Sequence, residues 1–333
     1  MTEPTSAPSF SIIIPSLNRP RQLRRCLESL RQIDYSREFW EVVVVDDGSA
    51  HSLEPVVTPF QKHYALKFVR TENGGPGSAR NAGAKVADGE YFAFTDDDCA
   101  PDANWLSVFA AEFQRLKEQG REKQSLLGGH TRNLLGQNAY STTSQILTSY
   151  LIDYYAGNTE KFFFTSNNFV VHSSAFWKID GFDAAFPPAA EDRDFCRRCC
   201  DNGIELIAVP EAQVAHFHSM TLRKFMKQHF CYGQGAWYFH HRRAEEAARQ
   251  QSSSDVGVSD RDVKVKASLP KIEPLSFYSG MARYPWHVRS QFRWTRSRAA
   301  RLTGLLLLSQ LCNALGYFRR RHLMRSGWNN QWP

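Results

Sequence analysis

Two hydrophobic periods alternate over the first hundred residues. Phe10–Pro15 is a short isoleucine-rich run, whereas Arg19–Ile33 repeats Leu23, Cys26, Leu27, Leu30 and Ile33 at helical spacing. Glu41–Val45 carries four successive valines, the continuity expected of a parallel strand buried on both faces. A polar stretch and Leu66–Val69 follow, then a glycine-rich turn, a small-residue helix over Gly77–Ala87 and a strand over Tyr91–Thr95. Strand–helix–strand repetition with short turns predicts βαβ units, a parallel sheet and right-handed crossovers. Each predicted strand ends in residues suited to chemistry: Pro15-Ser16-Leu17-Asn18, Asp46-Asp47-Gly48-Ser49, Asn73-Gly74-Gly75 and Asp96-Asp97-Asp98. In a parallel sheet these ends share one rim, where ligands bind.

Beyond Pro101 the pattern is mixed. Helices are predicted over Asn104–Leu116, Thr142–Tyr155, Glu191–Asn202 and Thr221–His241. Strand character marks Ser125–Thr131, Lys161–His172, Ile204–Val209 and Ala212–His216. Residues 245–272 are polar and serine-rich and read as a linker or mobile loop between a domain over 1–244 and an Arg/Trp-rich helical tail over 273–333.

Composition narrows the class. With 42% hydrophobic and 23% charged residues, the chain is neither collagen-like, nor a disulfide scaffold, nor wholly disordered. The N-terminal segment lacks a basic region ahead of an apolar run, so no secretory signal is read there. Seven irregularly spaced cysteines fit a reduced, cytoplasmic protein. The net charge of +7 is unevenly spread: residues 274–333 hold ten arginines, no lysine and no acid, leaving −3 for residues 1–273.

The adjacent carboxylates of Asp96, Asp97 and Asp98 repel unless positive charge lies among them. In an extended segment Asp96 and Asp98 would point the same way and could hold Mg²⁺ or Mn²⁺ through oxygen ligands. A solvated acidic turn is the plainer alternative. Glu191-Asp192-Arg193-Asp194 opens a helix, where acids complement the macrodipole and a carboxylate at a cleft could act as a general base. The stretch Asn73–Gly83 lacks both the dinucleotide G-x-G-x-x-G spacing and a G-K-[ST] end, yet it is compatible with a turn beside a nucleotide. Cys196, Cys199 and Cys200 share one helical face and read as core packing, since no second pair of zinc ligands follows. His216 and His218 fall on one face of a strand end, and His216 is a candidate third metal contact.

Taken in order, "SIIIPSLNRPRQLRRCLESL", "VVVVDDGS", "NGGPGSARNAGAKVADGEYFAFTDDD", "GGHTRN", "TSNNFVVHSSAFWKIDGFD" and "EDRDFCRRC" resemble family 2 glycosyltransferases of the GT-A fold. The resemblance spans residues 10 to about 240. It implies an α/β nucleotide-binding sandwich with a mostly parallel sheet, a nucleotide-diphosphosugar donor with UDP sugars favoured, inversion, and a divalent metal. Position by position, it implies that Pro15, Asn18 and Arg19 meet the nucleotide. Asp46 or Asp47 would contact the base, and Asn73 and Arg80 would lie near base and diphosphate. Asp96 and Asp98 would form the D-x-D pair that holds the metal, with Asp98 its direct ligand, and Asp97 between them would lie at the donor. Asp192 is the implied catalytic base, Glu191 orients it, and Arg198 closes the motif. Ala190 departs from the glycine common there. The Q-x-x-R-W motif of processive members is absent, which favours single transfers.

Two other classes are weighed and set aside. A sugar-nucleotide nucleotidyltransferase would need a Gly-rich, basic loop where Pro15-Ser16-Leu17-Asn18 stands. A nucleic-acid-binding protein could use the arginines, but it has no use for Leu305–Leu308, so no nucleic acid is expected as partner. The uncharged stretch Leu302–Phe318 is short for a membrane span and is expected either to lie on an anionic inner-face membrane surface, near a saccharide or lipid-linked acceptor, or to pack on the protein or a second subunit.

Overall fold

The isoleucine and valine runs form the middle of an eight-stranded sheet. The computed structural model describes residues 7–158, 162–186, 189–252 and 273–325. The strands are β1 (Phe10–Ser16), β2 (Trp40–Asp47), β3 (Ala65–Thr71), β4 (Tyr91–Phe94), β5 (Cys99–Pro101), β6 (Ser125–Asn133), β7 (Phe169–His172) and β8 (Glu205–His216), in the order β3-β2-β1-β4-β7-β6-β8-β5. Strands β3, β2, β1 and β4 run parallel, as the βαβ pattern predicts. Beyond them β7 is antiparallel to β4 and β6, and β5 to β8, while β6 and β8 are parallel, so the sheet is mixed.

Ten helices complete the described chain: α1 (Pro20–Leu30), α2 (Glu54–Val57), α3 (Gly75–Val86), α4 (Trp105–Glu118), α5 (Ala139–Tyr155), α6 (Ser173–Lys178), α7 (Glu191–Asp201), α8 (Leu222–Ser252), α9 (Leu275–His287) and α10 (Arg296–Arg325). The chain divides into two compact units. The first comprises Met1–Gly136, Tyr155–Ala185 and Glu191–Ser219, and the second Gln137–Tyr154, Phe186–Ala190 and Met220–Pro333. The expected domain boundary at 244/245 falls inside α8.

In the first unit both sheet faces are covered. Ile12, Ile14, Val42 and Val44 pack with Leu23, Leu27, Trp105 and Phe109 of α1 and α4. Ile13, Val43 and Val45 pack with Ala79, Phe176, Phe195, Cys196 and Cys199 on the other face. Cys196 and Cys199 of α7 are therefore core, whereas Cys200 is half-buried outside it. Helix α3 lies very close to the sheet: a Cβ on Gly83 would come within 2.6 Å of Ile13 Cγ2, so only glycine fits. Pro15 is tolerated in a central strand because the β1–β4 register stops at Ile13, and its missing N–H leaves no β4 carbonyl unpaired.

Three predicted elements differ from the structure. Among the described residues of the Lys161–His172 run, only Phe169–His172 is strand, because residues 165–168 turn on themselves, with the Asn168 N–H donating to the Thr165 carbonyl. The two strands expected over 204–216 are one, β8, with its irregularity against β6 between Gly129 and His130. That shift lets the strand continue past Pro210, which has no N–H to donate. Residues 245–252 are helical, the end of α8, and the rest of the polar segment lies outside the described residues.

The second unit is helical. Helices α8 and α10 approach closely, since a Cβ on Gly233 would meet the Asn313 carbonyl oxygen at 1.8 Å and one on Gly316 the Phe230 carbonyl oxygen at 1.9 Å. The Tyr150 hydroxyl donates to the Phe277 carbonyl at 2.7 Å, tying α5 to α9.

Candidate active site

The carboxyl ends of β1, β2 and β4 are joined by their own side chains. Asn18 adopts φ 56°, donates its N–H to Ser49 Oγ at 2.8 Å and accepts the Ala50 N–H on Oδ1 at 2.9 Å. Asp46, fully buried, accepts the N–H groups of Ser49 and Leu53. Asp47 accepts those of Gly74 and Gly75 at 2.8 and 3.0 Å, which ties the end of β2 to the start of α3. Burial nevertheless raises the Asp47 pKa, and the two N–H groups offset only part of that rise. Gly48, at φ 78°, lets the turn touch Asn73, whose backbone nitrogen would lie 2.6 Å from an added Cβ. Both acids ending β2 thus shape the rim from within, and Asn18, Arg19 and Asn73 are exposed along it.

The acidic triplet is not extended. Strand β4 ends at Phe94, and the chain turns so that the Cys99 N–H donates to the Asp96 carbonyl at 3.1 Å. Strand alternation therefore does not apply, and the three carboxylates diverge to different partners. Asp96 meets Arg80 at 2.7 Å. Asp97 accepts from Ser16 Oγ at 2.7 Å and from Arg19 at 3.0 Å. Asp98 is held by Arg19 at 3.1 Å and by His216 Nε2 at 3.2 Å.

Burial raises Asp97, with the neighbouring Asp98 charge adding to it against Arg19. Burial acts on Asp98 too, but the hydrogen bond and charge of His216, then Arg19, prevail and hold its carboxyl well below the usual range. His216 is the reciprocal case: burial opposes its charge, and Asp98 raises its pKa. The His218 ring stacks on His216 at 5.0 Å and is lowered to about 4 by burial and by that neighbour.

Arg80, on α3, is buried with its guanidinium 2.7 Å from Asp96 and 3.2 Å from Glu191, and 5.4 Å over the Phe182 ring. One cation thereby joins two acidic clusters far apart in sequence. Glu191 is buried, and burial followed by the charge of Asp192 raises it to about 7. Asp192 keeps part of its surface open and accepts the Arg193 N–H at 2.8 Å in the first turn of α7. Its pKa is raised as well, by burial above all. Asp192 is thus the more open residue of the two, and Glu191 the enclosed one.

Two side chains hold the corner ahead of α7. Asn81 donates to the Phe182 carbonyl and accepts the Phe182 N–H, at 2.7 and 2.9 Å. Arg198 pairs with Asp194 at 2.7 Å and donates to the carbonyls of Ile179 and Gly181. Arg198 and Asp194 therefore position the Gly181-Phe182 corner, and Phe182 in turn supports Arg80. Nothing in the linear sequence pairs Asn81 or Ser16 with these partners.

Ala190, immediately before Glu191, has φ 78°, in the left-handed region that favours glycine. Ala190→Gly is expected to raise unfolding stability by about 1 kcal/mol. Thermal or urea denaturation reads this directly, and a loss of stability would mean that the alanine is not strained.

The glycosyl transferase family 2 model matches residues 11–179, about half of the chain. The chain belongs to glycosyl transferase family 2. A dolichyl N-acetyl-α-D-glucosaminyl phosphate 3-β-D-2,3-diacetamido-2,3-dideoxy-β-D-glucuronosyltransferase of Methanococcus voltae is 24% identical over 237 residues, 67% of this chain and 71% of that protein. The pre-mycofactocin glycosyltransferase of Mycobacterium tuberculosis is 29% identical over 250 residues, 70% of this chain but 48% of its own length. Among solved structures, the mannosyltransferase PcManGT from Pyrobaculum calidifontis, in complex with GDP-Man and Mn²⁺, has a TM-score of 0.59 at 16% identity and covers 93% of this chain and 88% of its own. S. aureus TarS 1-349 in complex with UDP-GlcNAc has a TM-score of 0.50 at 19% identity, covering 98% and 94%. The chain is a glycosyltransferase, and its fold is that of the GT-A enzymes.

In this family 2 chain the donor set fits a divalent cation that accepts both oxygen and imidazole. Ligand atoms of Asp98, Cys99 and His216 lie within 4.8 Å of one another. Burial raises the Cys99 thiol and keeps it protonated, so Asp98 and His216 are the usable pair. Arg19 and His216 both face Asp98, and a cation bound there would need the imidazole in its neutral form. Asp96, turned to Arg80, stands outside this group.

Proposed function

We propose that the chain transfers a sugar, with inversion, from a nucleoside-diphosphate donor to an acceptor hydroxyl, with Asp192 as general base. The acceptor oxygen bonds to the anomeric carbon as the bond to the diphosphate breaks, and the hydroxyl proton passes to Asp192. The observation that carries this reading is Arg80 between Asp96 and Glu191: it ties Glu191, the chain neighbour of the proposed base Asp192, to the acidic triplet that would face the diphosphate. Glu191, enclosed and charge-coupled to Asp192, orients the base. A divalent metal, Mn²⁺ or Mg²⁺, at Asp98 and His216 would offset charge on the leaving diphosphate.

The exposed rim residues Asn18, Arg19 and Asn73, with Pro15, Asp97 and the turn shaped by Asp46 and Asp47, form the donor's bed. The sugar nucleotides in the PcManGT and TarS complexes support a donor of this class, and a UDP sugar is the first to test. A saccharide or lipid-linked acceptor accords with the dolichyl phosphate in the name of the Methanococcus voltae relative.

The test is a thermal-shift screen of UDP, GDP and TDP sugars with Mn²⁺, followed by nucleoside-diphosphate release and NMR of the product's anomeric centre. One donor class should stabilise the protein by mass action and yield the opposite anomer. Retention of configuration would overturn the single-displacement scheme.

The paired carboxyls also predict a pH response. Both pKa values are raised, so the pair binds protons at low pH and becomes fully ionised only as pH rises past about 7, the Glu191 value. Turnover should rise through that window. In Glu191→Gln one of the two like charges is gone, and the midpoint should move to lower pH. A pH–rate profile with an unmoved midpoint would dissociate Glu191 from the base.

A further inference from the structure

Helix α10 is apolar on two faces, and only one of them is covered. Leu302, Leu306 and Cys312 are buried, whereas Leu307, Leu311, Leu315 and Phe318 are 53%, 58%, 56% and 52% exposed. These four recur at i, i+4, i+8 and i+11, which is a single stripe on a helix, and the exposed Ala300, Gly304 and Ala314 extend it. At 1.5 Å per residue the stripe from Ala300 to Phe318 is about 27 Å long. Contiguous exposed apolar surface of this size marks a docking site.

Charge selects the occupant. Exposed Arg296 and Arg301 stand at one end of the stripe and exposed Arg319 at the other, and residues 274–333 contain no Asp or Glu. A second copy laid along the stripe, in either direction, would set arginines against arginines with no acid in this segment to offset them. An anionic surface would complement both ends at once. Two exposed aromatics, Trp286 and Phe292, lie in the same segment, and such rings favour the headgroup level of a bilayer. Among the described residues no helix is long and apolar enough to cross a membrane. We propose that the open face of α10 docks in the plane of an anionic phospholipid bilayer, with its leucines in the acyl boundary and its flanking arginines on lipid phosphates.

The experiment is co-sedimentation of the full chain with phosphatidylglycerol–phosphatidylcholine vesicles and with phosphatidylcholine alone. A Leu311→Ser/Leu315→Ser variant, whose melting transition checks the fold, is run in parallel. The protein should pellet with the anionic vesicles, be released by salt, and bind neutral vesicles weakly. The double substitution should weaken partitioning by roughly tenfold or more, because both side chains would leave the acyl boundary. Equal binding by the variant, or no preference for anionic lipid, overturns the proposal. A concentration-dependent dimer in sedimentation velocity that the variant abolishes, with no vesicle binding, assigns the face to a second copy instead.

Discussion

Asp192→Asn is expected to lower kcat by about 10²–10⁴-fold, the usual contribution of a positioned general base. The amide keeps the carboxylate's shape and can still accept the Arg193 N–H at the start of α7, so the local backbone should not change. It cannot take up a proton. Donor binding should survive, because Asn18, Arg19, Asp97 and Asp98, the groups proposed to face the donor, follow β1 and β4 and do not lie on α7. The measurement pairs steady-state kcat with the donor dissociation constant from calorimetry. If donor affinity falls with the rate, Asp192 binds rather than catalyses. Losing the negative charge beside Glu191 should also bring that carboxyl back towards its ordinary range, since Asp192 is the second cause of its rise after burial.

How much of this was legible in the sequence depends on the range of the interaction involved. Strands buried on both faces must be apolar without interruption, so β1 and β2 are readable directly from Ile12–Ile14 and Val42–Val45. The rim follows from them, because parallel strands end on one side. Helix α7 announces itself through Glu191, Asp192 and Asp194 in its first turn. What was not legible is pairing across the chain. Asp96 and Asp98 look alike in sequence and would share a side in an extended strand, but the turn at 96–99 sends one to Arg80 and the other to His216. Ser16 and Asn81 act through partners 81 and 101 residues away, and local spacing carries no trace of that.

The tail shows the same limit. Leu305–Leu308 fits a packed helix and an interfacial one equally well as text. The structure divides it, with Leu306 buried and Leu307 open, because the 3.6-residue period sends adjacent leucines to different faces. Gly233 and Gly316 decide which face is covered by letting α8 and α10 meet at backbone distance.

Asp98→Ala is expected to cost roughly a thousandfold in turnover, the scale of the several kcal/mol that a metal contributes to a departing diphosphate. Asp98 is singled out within the triplet by its partners. Arg80 engages Asp96, Ser16 engages Asp97, and Arg19 is shared between Asp97 and Asp98. Asp98 alone faces an imidazole, and the pair His216–Asp98 keeps that carboxyl ionised far below neutral pH, as a ligand for a hard cation must be. Removing it should also return His216 towards lower pKa, since Asp98 is what raises it against burial. Mn²⁺ titration by calorimetry separates binding from rate: Asp98→Ala and His216→Ala should both weaken Mn²⁺ affinity, whereas Asp97→Ala should leave it nearer to wild type and reduce turnover less. An Asp98→Ala protein that folds, binds Mn²⁺ normally and turns over in a metal-dependent way would move the cation to another set of ligands.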